Sequence, residues 1–241
     1  THPVHVEAPG QFNEEGFRII DKVLQIAEEK GIRVIFPFLD STKWWGGVED
    51  YAAFRGKESV VIRQRPDSAR SRFWTDSQLI EDFKKTITYT LNRKNVYTGV
   101  AYKDCKAILL WETGNELCCP PSWTHEIVSH IKSIDKNHLV MDGFFTTKAR
   151  PESVDEPAVD VVTTHHYPSL NPDFIGDVIA TWQMTRGKKP YIVGEFGFET
   201  NAKIKELLDY VIGEGISGAI VWSLRTHKRE GGFYWHSEPD S

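Results

Sequence analysis

The feature that most limits what this chain can become is a regular alternation. Short apolar runs of strand length are separated by longer stretches whose apolar residues recur at helical spacing. Six runs stand out: Ile32 to Leu39, Ala107 to Glu112, His138 to Gly143, Val159 to His166, residues 190–195 and Ile216 to Ser223. A continuous apolar run reads as a parallel strand covered on both faces. Between the runs lie helical stripes. One is Phe17, Ile20, Leu24 and Ala27, and another Leu79, Ile80, Phe83, Ile87 and Leu91. Ile127, Val128, Ile131 and Ile134 give a third, a fourth lies near 172–186, and Ile204, Leu207, Leu208 and Val211 close the series. Strands that alternate with helices predict an α/β fold, a parallel sheet with helices outside.

Local signals place the helix ends. Asn13 reads as an N-cap followed by Glu14 and Glu15, and Gly31 as the stop. Thr75 with Gln78 three later reads as a capping box. Ser122 and Thr200 read as further caps, with Gly213 or Gly215 ending the last helix. Residues 1–12, which hold Pro3 and Pro9, read as irregular. Residues 40–74 form a long connection carrying Trp44, Trp45, Gly46, Gly47 and Tyr51, and connections of that length are usually functional or disordered. Its aromatics argue against disorder. No linker splits the 241 residues, so a single domain over 1–241 is expected.

Composition excludes several roles. A net charge of −5 with no long basic block argues against nucleic acid and anionic membranes as partners. No apolar run is long enough to span a bilayer. Nothing at Thr1 resembles a signal peptide, and no N-x-[ST] sequon occurs. Three cysteines do not make a disulfide framework, although one bridge from Cys105 to Cys118 or Cys119 remains open. No zinc-like spacing appears, and no metal or cofactor is called for.

The chemistry gathers at strand ends. The run from Ala107 passes through Thr113 and Gly114 and delivers Asn115 and Glu116 side by side. The run from Tyr191 delivers Glu195 between Gly194 and Phe196-Gly197. The C-terminal ends of parallel strands are where α/β barrels keep their reacting groups. A lone strand-end glutamate is ordinarily a salt-bridged structural residue. The Asn115 partner, and the glycines beside Glu195 that let backbone approach closely, favour a site instead. Glu112 and Glu199 are the rivals, the first inside the strand and the second at a helix start. Side chains alternate along a strand, so His165 and Tyr167 share one face while His166 takes the other.

This ordered set, Asn-Glu, then His-x-Tyr, then Glu-Phe-Gly, then Trp222, resembles glycoside hydrolase family 5, in the clan of retaining (β/α)8 enzymes. The segment 92–104, the sequence Phe73-Trp74-Thr75-Asp76 and the Gly46-Gly47 loop are similar to those of its β-mannanases. The resemblance runs from about residue 13 to 222. It implies a TIM-barrel-type parallel β/α fold, here shortened to six recognisable β/α units, because the family's first two strands and the arginine ending the second have no counterpart. Leu117 stands where a proline usually follows Asn-Glu, Cys118-Cys119 where mannanases tend to carry arginine, and Cys105-Lys106 where they carry Asp-Pro.

The resemblance further implies Glu116 as general acid/base, Glu195 as nucleophile, Asn115 on the sugar 2-hydroxyl, and Tyr167 orienting Glu195 beside His165. Trp222 would lie under the reacting sugar, and Trp44 or Trp45 would line further subsites. The implied activity is hydrolysis of β-1,4-mannosidic bonds, endo or exo, on β-mannan or a related β-linked oligosaccharide. A β-1,4-glucan hydrolase, or an impaired carbohydrate-binding protein, are the alternatives. The family also implies a secreted protein, and uncovered sheet edges would permit a homodimer.

Overall fold

The structure is a computed structural model, and it describes residues 4–41, 47–56 and 72–234. The described chain divides into two compact units, one of residues 1–145 with 155–160, the other of 146–154 with 161–241.

The first unit holds a short antiparallel pair, β1 (Val6–Ala8) and β2 (Gln11–Phe12), and a three-stranded parallel sheet. The sheet consists of β3 (Val34–Pro37), β4 (Ile108–Glu112) and β5 (Leu139–Met141), with β4 in the middle. The β1–β2 pair departs from the irregular opening expected for residues 1–12: Gly10 takes φ 75° and turns the chain between the two strands. Helices α1 (Glu14–Lys30), α2 (Val48–Phe54), α3 (Ser77–Asn92) and α4 (Pro121–Ile134) accompany the sheet. The α1 boundaries are as the sequence predicts. Asn13 accepts from the Glu15 and Gly16 N–H groups, and Gly31 ends the helix at φ 68°. Two other caps differ. Asp76, not Thr75, accepts from Gln78 N–H at the start of α3. The start of α4 is set by Pro120 and Pro121 rather than Ser122, since a proline at the first helical position needs no N–H partner.

The core of this unit is aromatic. Phe83 stacks on Trp123 at 5.7 Å, Trp74 meets Trp123 edge-on at 4.9 Å, and Phe73 and Tyr51 complete the group. Trp111, on β4, packs against Phe36 and Phe38. Three of the eight tryptophans therefore serve packing rather than a ligand platform. Trp111 also donates to Asp135 at 2.7 Å, and Asp135 bonds the His138 ring at 2.7 Å. Burial alone would raise the Asp135 carboxyl, but these bonds and two backbone N–H groups outweigh it and hold it at about 2. Cys105, Cys118 and Cys119 are all buried and none is in a disulfide, so the bridge left open in the sequence is not formed.

The second unit repeats the parallel pattern with β6 (Val162–His166), β7 (Tyr191–Phe196) and β8 (Gly218–Val221), β7 in the middle. Helix α5 (Pro151–Asp155) precedes β6, and helices α6 (Phe174–Thr185) and α7 (Asn201–Glu214) follow β6 and β7. Thr200 caps α7 through Lys203 N–H, and of the two candidate glycines Gly215 ends it, at φ 72°. Phe174, Val178, Tyr191, Val193, Leu207 and Val211 form its main core. The six predicted strand regions are thus all present. No helix among the described residues is long and apolar enough to cross a membrane.

Two parallel strands depart from simple pairing. Val34 faces Ile108 and Ile35 faces Leu110, which leaves Leu109 as an extra residue bulged from β4. That is why Leu109 is 40% exposed inside an otherwise buried run. In β7, Val193 faces Thr164 while Glu195 faces His165, so Gly194 is the extra residue. The β8 side shows the same insertion, between Val193 and Phe196.

Candidate active site

In the first unit the tail of β4 carries Asn115 and Glu116, and its path is set by backbone bonds. The Asn115 N–H donates to Leu39 carbonyl at 2.6 Å, and Asn115 carbonyl accepts from Ser41 N–H at 3.0 Å. Two residues on, Leu117 N–H donates to Gly143 carbonyl at 2.7 Å, and Leu117 carbonyl accepts from Phe145 N–H at 2.8 Å. The tail therefore pairs with the β3 side at Asn115 and with the β5 side at Leu117. The change of partner falls on Glu116, which sits at φ 54°, in the left-handed region. A non-glycine residue there costs of the order of 1–3 kcal/mol and persists only where its surroundings over-determine it. Here four backbone bonds do so. Close approach adds to the constraint: a Cβ on Gly143 would lie 1.3 Å from Gly114 carbonyl oxygen.

Glu116 is 5% exposed, and Asn115 is half-buried. The Asn115 amide Nδ2 donates to Asp40 Oδ2 at 3.0 Å. Asp40 opens the connection of residues 40–74 and belongs to none of the sequence motifs. Its place just beyond β3, at the end of a parallel strand, is the signal that could have marked it.

In the second unit His165, Tyr167, Glu195 and Trp222 lie on the ends of three adjacent strands. The bulge at Gly194 turns Glu195 out of regular pairing, and bulges commonly re-aim a side chain beside a site. Tyr167 hydroxyl donates to Glu195 Oε1, and His165 Nδ1 stands 3.9 Å from Oε2. Glycine is required next to it: a Cβ on Gly194 would sit 2.1 Å from Thr163 Oγ1, and one on Gly197 2.4 Å from Trp222 carbonyl oxygen. Trp222 is tied back by its N–H to Phe196 carbonyl at 2.7 Å, keeps 37% of its surface exposed, and has the Arg225 guanidinium 5.7 Å from its ring centre. The Trp222–Ser223 peptide is cis.

His166 faces away from this group, as the alternation predicts. Its Nε2 bonds Thr164 hydroxyl at 2.7 Å, its ring packs near Phe174, and burial pushes its pKa down to about 4. Glu112 closes the paired part of β4, its carbonyl accepting from Phe38 N–H. Glu199 accepts from Thr200 N–H and faces Lys203 at 3.5 Å, a helix-start role. Trp44 and Trp45 lie outside the described residues.

Comparison with known proteins gives these strand ends their context. The family model described as GH family 5 beta-mannosidase-like matches residues 1–175. A mannan endo-1,4-beta-mannosidase of Arabidopsis thaliana is 34% identical over 188 residues, covering 67% of this chain and 42% of the relative. One from Solanum lycopersicum is 28% identical over 228 residues, covering 80% of this chain and 56% of the relative. The chain thus spans about half the length of the curated relatives it matches. Among solved structures, an endo-β-1,4-mannanase from Thermotoga petrophila superposes with a TM-score of 0.78 at 24% identity, covering 94% of this chain and 60% of that one. A family 5 mannosidase from Rhizomucor miehei superposes at 0.76 with 20% identity, covering 100% and 74%. The fold is accordingly of the TIM-barrel type, with six parallel strands among the described residues. With the family model matched over most of the chain and the strand-end residues in the expected order, the protein belongs to glycoside hydrolase family 5, in its β-mannosidase-like group.

Proposed function

We propose that the protein is a retaining glycoside hydrolase that cleaves β-1,4-mannosidic bonds, with residues 1–241 belonging to one catalytic domain. Glu195 is the nucleophile and Glu116 the acid/base. Such a reaction needs two carboxyl groups about 5–5.5 Å apart, one ionised and one protonated. In the first step the Glu116 carboxyl gives its proton to the glycosidic oxygen as the C1–O bond breaks. A Glu195 carboxylate oxygen bonds to C1, which leaves a glycosyl ester. In the second, Glu116 carboxylate takes a proton from water, the water oxygen bonds to C1, and the ester bond breaks to restore Glu195. Two inversions at C1 give net retention.

The observation that carries this reading is the hydrogen bond from Tyr167 to Glu195, on a glutamate that a bulge re-aims beside His165. Donation from the phenol to the carboxylate favours the charged form that a nucleophile requires. Asn115 holds the sugar 2-hydroxyl and Trp222 offers its exposed face to the ring, as platform residues do. Trp44 or Trp45, which lie outside the described residues, is assigned to further subsites from the sequence resemblance alone. Secretion rests on the family resemblance alone.

The test is to label the protein with a 2-deoxy-2-fluoro-mannosyl fluoride and locate the adduct by mass spectrometry, beside assays on mannan, cellulose and aryl glycosides. An adduct on Glu195 with mannan turnover supports the proposal. Turnover of cellulose alone replaces mannan with β-glucan. Binding of mannooligosaccharides without adduct or hydrolysis makes the protein a carbohydrate-binding module and overturns it.

A further inference from the structure

We propose that Asp40 is a positioning residue: its carboxylate dictates which way the Asn115 side-chain amide faces, and so which of its atoms meets the sugar. The inference deepens the reading above and rests on the role given there to Asn115.

An asparagine amide is nearly symmetrical in shape, and a half-turn exchanges its oxygen with its NH2 group. What fixes the choice is the neighbour. An ionised carboxylate accepts but cannot donate, so only the NH2 end of Asn115 can face Asp40. The 3.0 Å contact from Nδ2 to Asp40 Oδ2 is that arrangement. Its consequence is that Oδ1, and one N–H, are turned elsewhere, to accept from and donate to a hydroxyl.

The backbone holds both partners still. Asp40 pairs with Asn115 on one side and with Gly47 on the other, and its carbonyl accepts from Val48 N–H at 3.3 Å. The residues flanking it, Leu39 and Ser41, exchange the two backbone bonds with Asn115 described above. At 8% exposure Asp40 is a buried carboxylate, costly to keep unless it is bonded. Mere packing, or a neutral hydrogen bond, would be served by asparagine, which has the same shape. What asparagine would not supply is direction, because it can meet Asn115 with either end.

That difference defines the experiment. The full-length protein, its Asp40→Asn, Asp40→Glu and Asn115→Ala variants, and the Asp40→Asn/Asn115→Ala double variant are assayed for kcat/KM. The substrates are an aryl β-mannoside and its 2-deoxy analogue, with thermal melts run alongside. Losing a charge-assisted hydrogen bond should lower kcat/KM of Asp40→Asn on the parent mannoside by about 10- to 100-fold. The analogue, which has no 2-hydroxyl to orient, should show almost no change. The double variant should be no worse than Asn115→Ala alone, and Asp40→Glu should recover part of the loss. An equal loss on both substrates, full additivity in the double variant, or no loss in Asp40→Asn while Asn115→Ala is impaired, overturns the assignment and leaves the parent reading intact. If Asn115→Ala is as active as the unaltered protein, or the unaltered protein does not turn over the mannoside, the parent reading falls and the assignment with it.

Discussion

The segment 92–95, Asn-Arg-Lys-Asn, is mannanase-like in sequence, and its arginine is engaged in a buried ion pair with Asp21 on α1. Arg93 is 7% exposed and Asp21, on α1, is fully buried. The guanidinium meets Asp21 through Nε at 3.1 Å and Nη2 at 2.8 Å, a bidentate arrangement. Tyr102 hydroxyl donates to the same carboxylate at 2.6 Å, and Asn95 Nδ2 donates to Asp21 carbonyl at 2.7 Å. A second arm of Arg93 reaches Glu14 at 2.8 and 3.1 Å, but the Glu14 side chain is 59% exposed. Arg93→Met removes the guanidinium, which also lies 5.0 Å from the Phe17 ring centre, and leaves Asp21 buried with the Tyr102 hydroxyl and the Val96 N–H as donors and no counter-ion. Breaking a buried pair from one side costs about 3–5 kcal/mol. Glu14→Gln, which disturbs only the solvated arm, should cost less than about 1 kcal/mol. Urea unfolding of the three proteins measures both values, provided the m-value is unchanged. Asp21→Asn combined with Arg93→Met should recover part of the loss, because no uncompensated charge remains. A loss below about 1 kcal/mol for Arg93→Met, or equal losses for Arg93→Met and Glu14→Gln, would refute the argument that burial decides what each arm contributes.

Three further outcomes follow from the same structure. His166 titrates at about 4 when folded and near 6.5 when unfolded, so its neutral form belongs to the fold. Its contribution is complete above pH 6.5 and is lost as pH falls toward 4, by up to about 3 kcal/mol. His166→Asn should flatten the pH dependence of unfolding free energy over that window, and an unchanged slope would remove His166 as its source. Gly143→Ala must place a Cβ 1.3 Å from Gly114 carbonyl oxygen, which only backbone movement relieves, and should cost more than about 4 kcal/mol or prevent folding. The control Gly213→Ala, inside α7 with open space around it, should stabilise by up to about 1 kcal/mol, with both read from thermal melts. Leu117→Pro removes the N–H that Gly143 carbonyl accepts and restricts Glu116 away from its helical-type backbone. It should destabilise by at least about 1 kcal/mol, measured by urea unfolding, and a neutral result would mean that Glu116 adopts its φ for another reason.

Most of the frame could be read from the residues because each element announces itself locally. The apolar runs and helical stripes at 32–39 and 14–30 need no knowledge of their neighbours. The stops at Gly31 and Gly215 follow from a conformation that glycine adopts without strain. What escaped the sequence depends on partners distant along the chain. Asp40 matters through Asn115, 75 residues on, and the Arg93 segment through Asp21, 72 residues back. The two bulges, at Leu109 and Gly194, exist only relative to the strands beside them, so a run of apolar letters cannot reveal them. The bulge at Gly194 changes which way a candidate nucleophile points, a fact about chemistry that looks in sequence like one glycine among several.

The departures at residues 117–119 then acquire a physical meaning. Leu117, Cys118 and Cys119 replace a proline and the positions where arginine is usual, and all three are buried. A proline at 117 could not donate to Gly143 carbonyl, and the residue before a proline is steered toward extended backbone. Leucine permits both the 2.7 Å bond and the left-handed turn at Glu116. The path of this strand end is therefore secured by N–H and carbonyl groups of Leu39, Ser41, Gly143 and Phe145, which any non-proline side chain leaves in place. At positions 117 to 119, therefore, the identity of a non-proline side chain matters less to the path at Glu116 than the room at Gly114 and Gly143, where backbones nearly touch.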